Sequence, residues 1–128
     1  MTQQHSALAR AFLPLAVVTS VVALIQSIPG FMAAFNIDSG VTVHGWLAYL
    51  NDVLFLLTAL SAKVSARYTG NEAAVGHAFG MLVFGILQTF LGLFDANWAH
   101  ILIGIAMLGG TFALIPAAKK ARQAHITA

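Results

Sequence analysis

Cysteine is absent from the 128-residue chain. Its absence excludes disulfides, iron–sulfur clusters, thiolate-bound zinc and covalent c-type haem attachment. Charge is scarce as well. Asp, Glu, Lys and Arg together make up 8% of the residues, against about 25% in a soluble domain. A soluble protein with so little charge would lack the polar surface that keeps it dispersed, so composition puts the chain in the membrane class. Several motifs are also missing: a Walker A loop, a G-x-G-x-x-G turn, an H-E-x-x-H helix and a G-x-S-x-G elbow. Their absence argues against a hydrolase or a nucleotide-driven pump, and no residue stands out as catalytic. The net charge of +2 is no sign of nucleic-acid binding, because basic residues in membrane proteins collect in cytoplasmic loops.

What is present is apolar. Hydrophobic residues make up 59% of the chain and the mean hydropathy is +0.86. Four runs stand out, at about 11–28, 41–62, 73–94 and 98–118. Each approaches the roughly 20 residues that a helix needs to cross a bilayer. Backbone groups in lipid must pair internally, which makes these runs helices. The short stretch Asp95–Asn97 forces the last two spans to be antiparallel neighbours. The expected fold is all-α: one integral membrane domain, an up-down four-helix bundle built from two helical hairpins. With four spans, Arg10, Lys63, Arg67, Lys119, Lys120 and Arg122 fall on one side and Asp38 and Asp95 on the other. The positive-inside rule then puts both termini in the cytoplasm. Trp46 and Trp98 would sit near the outer interface. The first span has no clear small-x-small cleavage site and is expected to be retained. Gly76 and Gly80 form a GxxxG pair expected to let helices approach closely.

One phrase occurs twice. "LIQSIPGF" (24–31) and "ILQTFLGL" (86–93) each carry a glutamine near the end of a span. Aligning Gln26 with Gln88 also aligns Ser27 with Thr89 and Gly30 with Gly92. Each phrase is followed by a histidine that opens the next span: His44 lies 18 residues after Gln26, and His100 lies 12 after Gln88. The difference falls in the outer loop. The repeat unit is therefore a hairpin, and in an up-down bundle His44 and His100 would face each other across the core near the outer surface. One turn below each histidine is a small residue, Ala48 or Gly104. A flat cofactor lying against the helix needs such a residue while an imidazole reaches its centre. Non-covalent haem b with two histidine ligands fits this pattern. Gln26 and Gln88, at the same depth, could hold the outward ring nitrogens, bind a propionate, or join helices.

The elements "LIQ" at 24–26, "VHGWLA" at 43–48, "ILQ" at 86–88 and "AHILIG" at 99–104 carry a resemblance. The chain resembles a group of small uncharacterised bacterial four-helix membrane proteins with "LQ" late in the first and third helices and a histidine opening the second and fourth. More distantly it resembles the haem A synthase family and small b-type membrane cytochromes. The complete haem A synthase has eight helices, so this chain would match half of it. The resemblance directs attention to His44 and His100 and implies a bacterial plasma membrane, with no established activity.

Asp52 lies about 12 Å deeper than His44 at ~1.5 Å per residue. A carboxylate there is a functional candidate, for proton transfer or as a hydrogen-bonded structural group. His77 near the inner end of the third span could serve a second site, but the one matching histidine, His5, lies in a polar tail, which argues against a second haem. Met32, Met81 and Met107 read as packing residues. The leading expectation is an electron-transfer protein holding haem b between His44 and His100. It would work with quinone or a respiratory-type partner, or inside a larger complex, and a homo-oligomer is compatible. The alternatives are a cofactor-free accessory or scaffold subunit and a small proton-coupled transporter component.

Overall fold

The computed structural model describes residues 6–35, 37–94 and 97–127. His5 and Asp95 lie outside them, as do the side chains of Asp38 and His125. The described residues form five helices: α1 (Ala7–Arg10), α2 (Phe12–Ala34), α3 (Asp38–Thr69), α4 (Glu72–Leu93) and α5 (Asn97–Thr127). The last four are long and apolar enough to cross a membrane. They coincide with the four expected spans and extend past most of their ends. The 32 residues of α3 reach about 48 Å at ~1.5 Å each, well beyond a hydrocarbon core of about 30 Å.

Local chemistry sets the breaks. Pro14 has no N–H to return to Arg10, and the chain steps from α1 to α2 at Ala11. Gly70 ends α3 in the left-handed region at φ 67°, where a side chain would be strained. Asn71 then caps α4 by accepting from the Ala74 N–H at 3.3 Å. Beside this turn an exposed ion pair joins Lys63 to Glu72 at 3.4 Å.

The long helices close a ring: α2 on α3, α3 on α4, α4 on α5, and α5 back on α2, with α3 and α5 also meeting across the core. This is the up-down bundle of two hairpins. Its two ends differ. Toward the Gly70 end the core is built from small residues, with Ala59, Ala62, Ala74, Ala78, Ala118 and Ala121 packed around Phe12 and Leu114. Midway lies a polar waist, where the Thr19 and Thr58 hydroxyls are 2.9 Å apart. The Ser20 hydroxyl shares its proton between its own helix, at Ala16 (2.7 Å), and the Thr111 carbonyl of α5 (3.1 Å). Apolar side chains such as Ile28, Phe31, Val53 and Leu102 face outward. Small polar groups inside with large apolar groups outside is the pattern of helices packed in lipid.

Close helix approach does not fall at the GxxxG pair. A Cβ on Gly76 or Gly80 would meet nothing within 4 Å. The tight positions are Gly40, whose Cβ would lie 2.9 Å from the Pro29 carbonyl, Gly85 against Asp52 and Phe55, and Gly110 against Met81. Spacing of two glycines shows that a close face is available. Which face the bundle uses depends on the neighbours, and here Gly76 points outward.

Candidate functional site

His44 is the seventh residue of α3 and His100 the fourth of α5, on diagonally opposed helices that both start at the same end of the bundle. Their ring centroids are 5.7 Å apart and the ring planes are nearly perpendicular, at 82°. The hairpin repeat thus brings two imidazoles together across the core.

Each ring is held the same way. His44 Nδ1 lies 3.1 Å from the Gln26 backbone carbonyl, and His100 Nδ1 lies 3.0 Å from that of Gln88. A carbonyl oxygen only accepts, so each Nδ1 carries the proton and donates it. In a neutral imidazole the lone pair is then on Nε2. Among the described residues neither Nε2 has a hydrogen-bond partner.

The repeated phrase explains how a ring reaches a carbonyl inside a helix. Four residues after each glutamine comes a glycine, Gly30 or Gly92, on the face over which the ring lies. A Cβ at Gly30 would stand 3.0 Å from His44 Cε1, and one at Gly92 would stand 3.1 Å from His100 Cε1. The doubled text is therefore Q-x-x-x-G, a bracket in which the glutamine supplies a main-chain acceptor and the glycine supplies clearance. The glutamine amides do not hold the imidazoles. Gln26 Oε1 accepts from Asn51 Nδ2 at 2.8 Å, tying α2 to α3. The Gln88 amide donates to the His100 backbone carbonyl, tying α4 to α5. Gly104 gives that amide its room: a Cβ there would come 2.7 Å from Gln88 Nε2 and push it aside. Ala48, its counterpart, can carry a methyl because the Gln26 amide turns to Asn51 instead.

A cavity of about 540 Å³ adjoins the imidazoles. It opens along the seam between α2 and α5. His44, His100, Asn51, Gln26 and Gln88 form its polar floor, and Gly30 and Gly104 leave room in its walls. Ala48 does not line it. Two buried acceptors in the floor, Asn51 Oδ1 and Gln88 Oε1, have no hydrogen-bond partner among the described residues. Such atoms are rare in native interiors and mark places where a water or a bound molecule supplies a donor. Asn51, on the same face of α3 as His44, is the member of the floor that sequence reasoning passed over.

Asp52 and His77 lie elsewhere. Asp52 faces α4, where Thr89 donates to its Oδ2 at 2.8 Å and Gly85 leaves room for Oδ1. His77 donates from Nε2 to the Gly110 carbonyl at 2.8 Å, joining α4 to α5. Neither lines the cavity. Met81 is buried in the core and Met107 packs against it.

Among the described residues no three His, Cys, Asp or Glu side chains gather to hold a metal ion. A bare cation between the histidines would find two imidazole nitrogens and little else. Comparison with family models, with curated proteins and with solved structures gives no match to this chain.

Proposed function

We propose that the protein is a haem b-binding integral membrane protein in which His44 and His100 are the axial ligands and which passes electrons to or from a lipid-soluble quinone or a protein partner. The observation that carries this reading is the pair of Nε2 atoms without partners, on rings whose Nδ1 protons are committed to backbone carbonyls. Histidines that ligate metals are oriented in this way, with the far nitrogen donating to a fixed acceptor. Two imidazoles suffice when a macrocycle supplies the other four nitrogens.

The dimensions are compatible. The ring centroids are 5.7 Å apart, and the adjoining cavity falls within the roughly 300–1,000 Å³ of small-molecule sites. The haem would supply the one-electron couple. The chain would hold both rings in one tautomer, line the cavity with the apolar Phe55, Met107 and Leu108, and fix ring orientation through the Gln26 and Gln88 carbonyls. By the positive-inside rule the Arg10 and Gly70 end faces the cytoplasm, so the site lies in the outer half of a plasma membrane.

The test is the reduced-minus-oxidised absorption spectrum of protein purified from haem-replete cells. Soret and α bands are expected, and His44→Ala and His100→Ala should each abolish the low-spin signature while leaving the helical circular dichroism intact. A colourless wild-type protein would refute the reading in favour of a cofactor-free scaffold, for which the Gln26–Asn51 and Gln88–His100 ties would be the purpose of these residues.

A further inference from the structure

The α2–α5 seam opens a second time, at the other end of the bundle. There a groove of about 770 Å³ runs along Phe12, Leu13, Val17 and Val18 of α2 and Ala118 of α5. Arg10 and Arg122 stand at its walls, one from each side of the seam. The chain has only four acidic residues. Asp95 lies outside the described residues, Asp38 begins α3, Asp52 is engaged by Thr89, and Glu72 is paired with Lys63. Neither the Arg10 nor the Arg122 guanidinium has a hydrogen bond or ion pair among the described residues. Two guanidiniums thus flank a largely apolar groove with no anion among the described residues to meet them.

We infer that this groove binds one acidic glycerophospholipid, with its phosphate between Arg10 and Arg122 and an acyl chain along Leu13, Val17 and Val18. The chemistry of the two ends of the groove matches that of such a lipid. Arginine forks pair with phosphate oxygens in two-bond geometry. From Arg10 at the end of α1 to Val18 of α2 the groove spans eight residue steps, about 12 Å at ~1.5 Å per residue, which is enough to take up much of one acyl chain. Basic pockets between spanning helices on the cytoplasmic side bind acidic headgroups in this way. The inference is independent of the haem reading.

The test is lipid retention by the full chain, reconstituted in phosphatidylcholine with and without phosphatidylglycerol, extracted in mild detergent and weighed by native mass spectrometry. Wild type should retain one phosphatidylglycerol and no phosphatidylcholine, and millimolar inorganic phosphate should not displace it. At roughly fivefold per guanidinium, Arg10→Gln/Arg122→Gln should bind about thirtyfold more weakly. Val17→Trp should block the groove with both arginines in place. Lys119→Gln/Lys120→Gln removes as much charge from the same end but not from the groove, and should retain the lipid. Equal loss in the lysine variant would mean bulk surface attraction and overturn the proposal. So would retention in the arginine variant, or displacement by inorganic phosphate. A melting curve within a few degrees of wild type confirms that each variant is folded.

Discussion

A methyl group at position 30 probes the imidazole bracket directly. In Gly30→Ala the new Cβ would lie 3.0 Å from His44 Cε1 and 3.1 Å from Nδ1. Carbon contacts are comfortable at about 3.5–4.0 Å, so the ring must retreat by roughly half an ångström. That movement stretches the 3.1 Å bond to the Gln26 carbonyl beyond the normal range for N–H···O bonds. Overpacking costs about 1–3 kcal/mol, and the weakened bond up to about 1 kcal/mol more. Alanine returns about 1 kcal/mol of helix propensity. The net expectation is a loss of up to about 3 kcal/mol. Gly76→Ala and Gly80→Ala are the controls. Their new methyl groups meet nothing within 4 Å, so only the propensity gain remains, about 0.5–1 kcal/mol in the opposite direction. Gly92→Ala should follow Gly30→Ala, more mildly, because its next contact is 3.4 Å away. Reversible unfolding in mixed micelles, followed by circular dichroism, measures all four. If Gly30→Ala stabilises the protein as Gly76→Ala does, the ring is not held against the glycine and the bracket is wrong. With haem bound, Gly30→Ala should also shift the reduced α band while Gly76→Ala leaves it in place.

Other expectations concern the polar groups away from the cavity. Thr89→Val strips the hydroxyl from Asp52 and should cost about 1–3 kcal/mol, whereas Asp52→Asn keeps an acceptor for Thr89 and should cost less than about 1 kcal/mol. Both should leave the haem spectrum unchanged, and loss of colour in Asp52→Asn would contradict the placement of Asp52 outside the site. His77→Leu removes the bond to the Gly110 carbonyl and should cost about 0.5–1.5 kcal/mol in the same unfolding assay. A spectral change in that variant would mean that His77 has a ligand role the structure does not give it.

The four spans were legible in the sequence because hydropathy over twenty residues is a sum, insensitive to the details of any one position. The helices overrun the expected limits because their polar ends, such as 63–69 and 119–127, continue the helix past the apolar run that marks it. The meeting of His44 and His100 was legible too, since a hairpin repeat in an up-down bundle dictates which helices lie diagonally opposed. The way the rings are held was not. The glutamine side chains are the chemically conspicuous groups, whereas the acceptors are backbone carbonyls that every residue possesses. The available signal was the Gly30–Gly92 match in the aligned repeat, four residues after each glutamine. Likewise the i+7 position from His44 singles out Asn51, but the i+7 position from His100 is Met107. The polar floor is asymmetric where the repeat is not, and no periodicity argument yields it. The GxxxG expectation failed for a similar reason: local spacing does not say which neighbour comes near.

The turn at Gly70–Asn71 is the covalent link between the two hairpins, and the cavity belongs to neither one alone. The first hairpin brings Gln26, Gly30 and His44, and the second brings Gln88, Gly92 and His100. A fragment ending at Gly70 would therefore hold one imidazole, one carbonyl brace and one clearance glycine, half of the arrangement. Two copies of it related by a twofold axis would complete the pair, with Asn51 present on both sides. The single chain places a polar Asn51 opposite an apolar Met107. Because the two hairpins share one polypeptide they need not be identical, and one side of the imidazole pair differs chemically from the other.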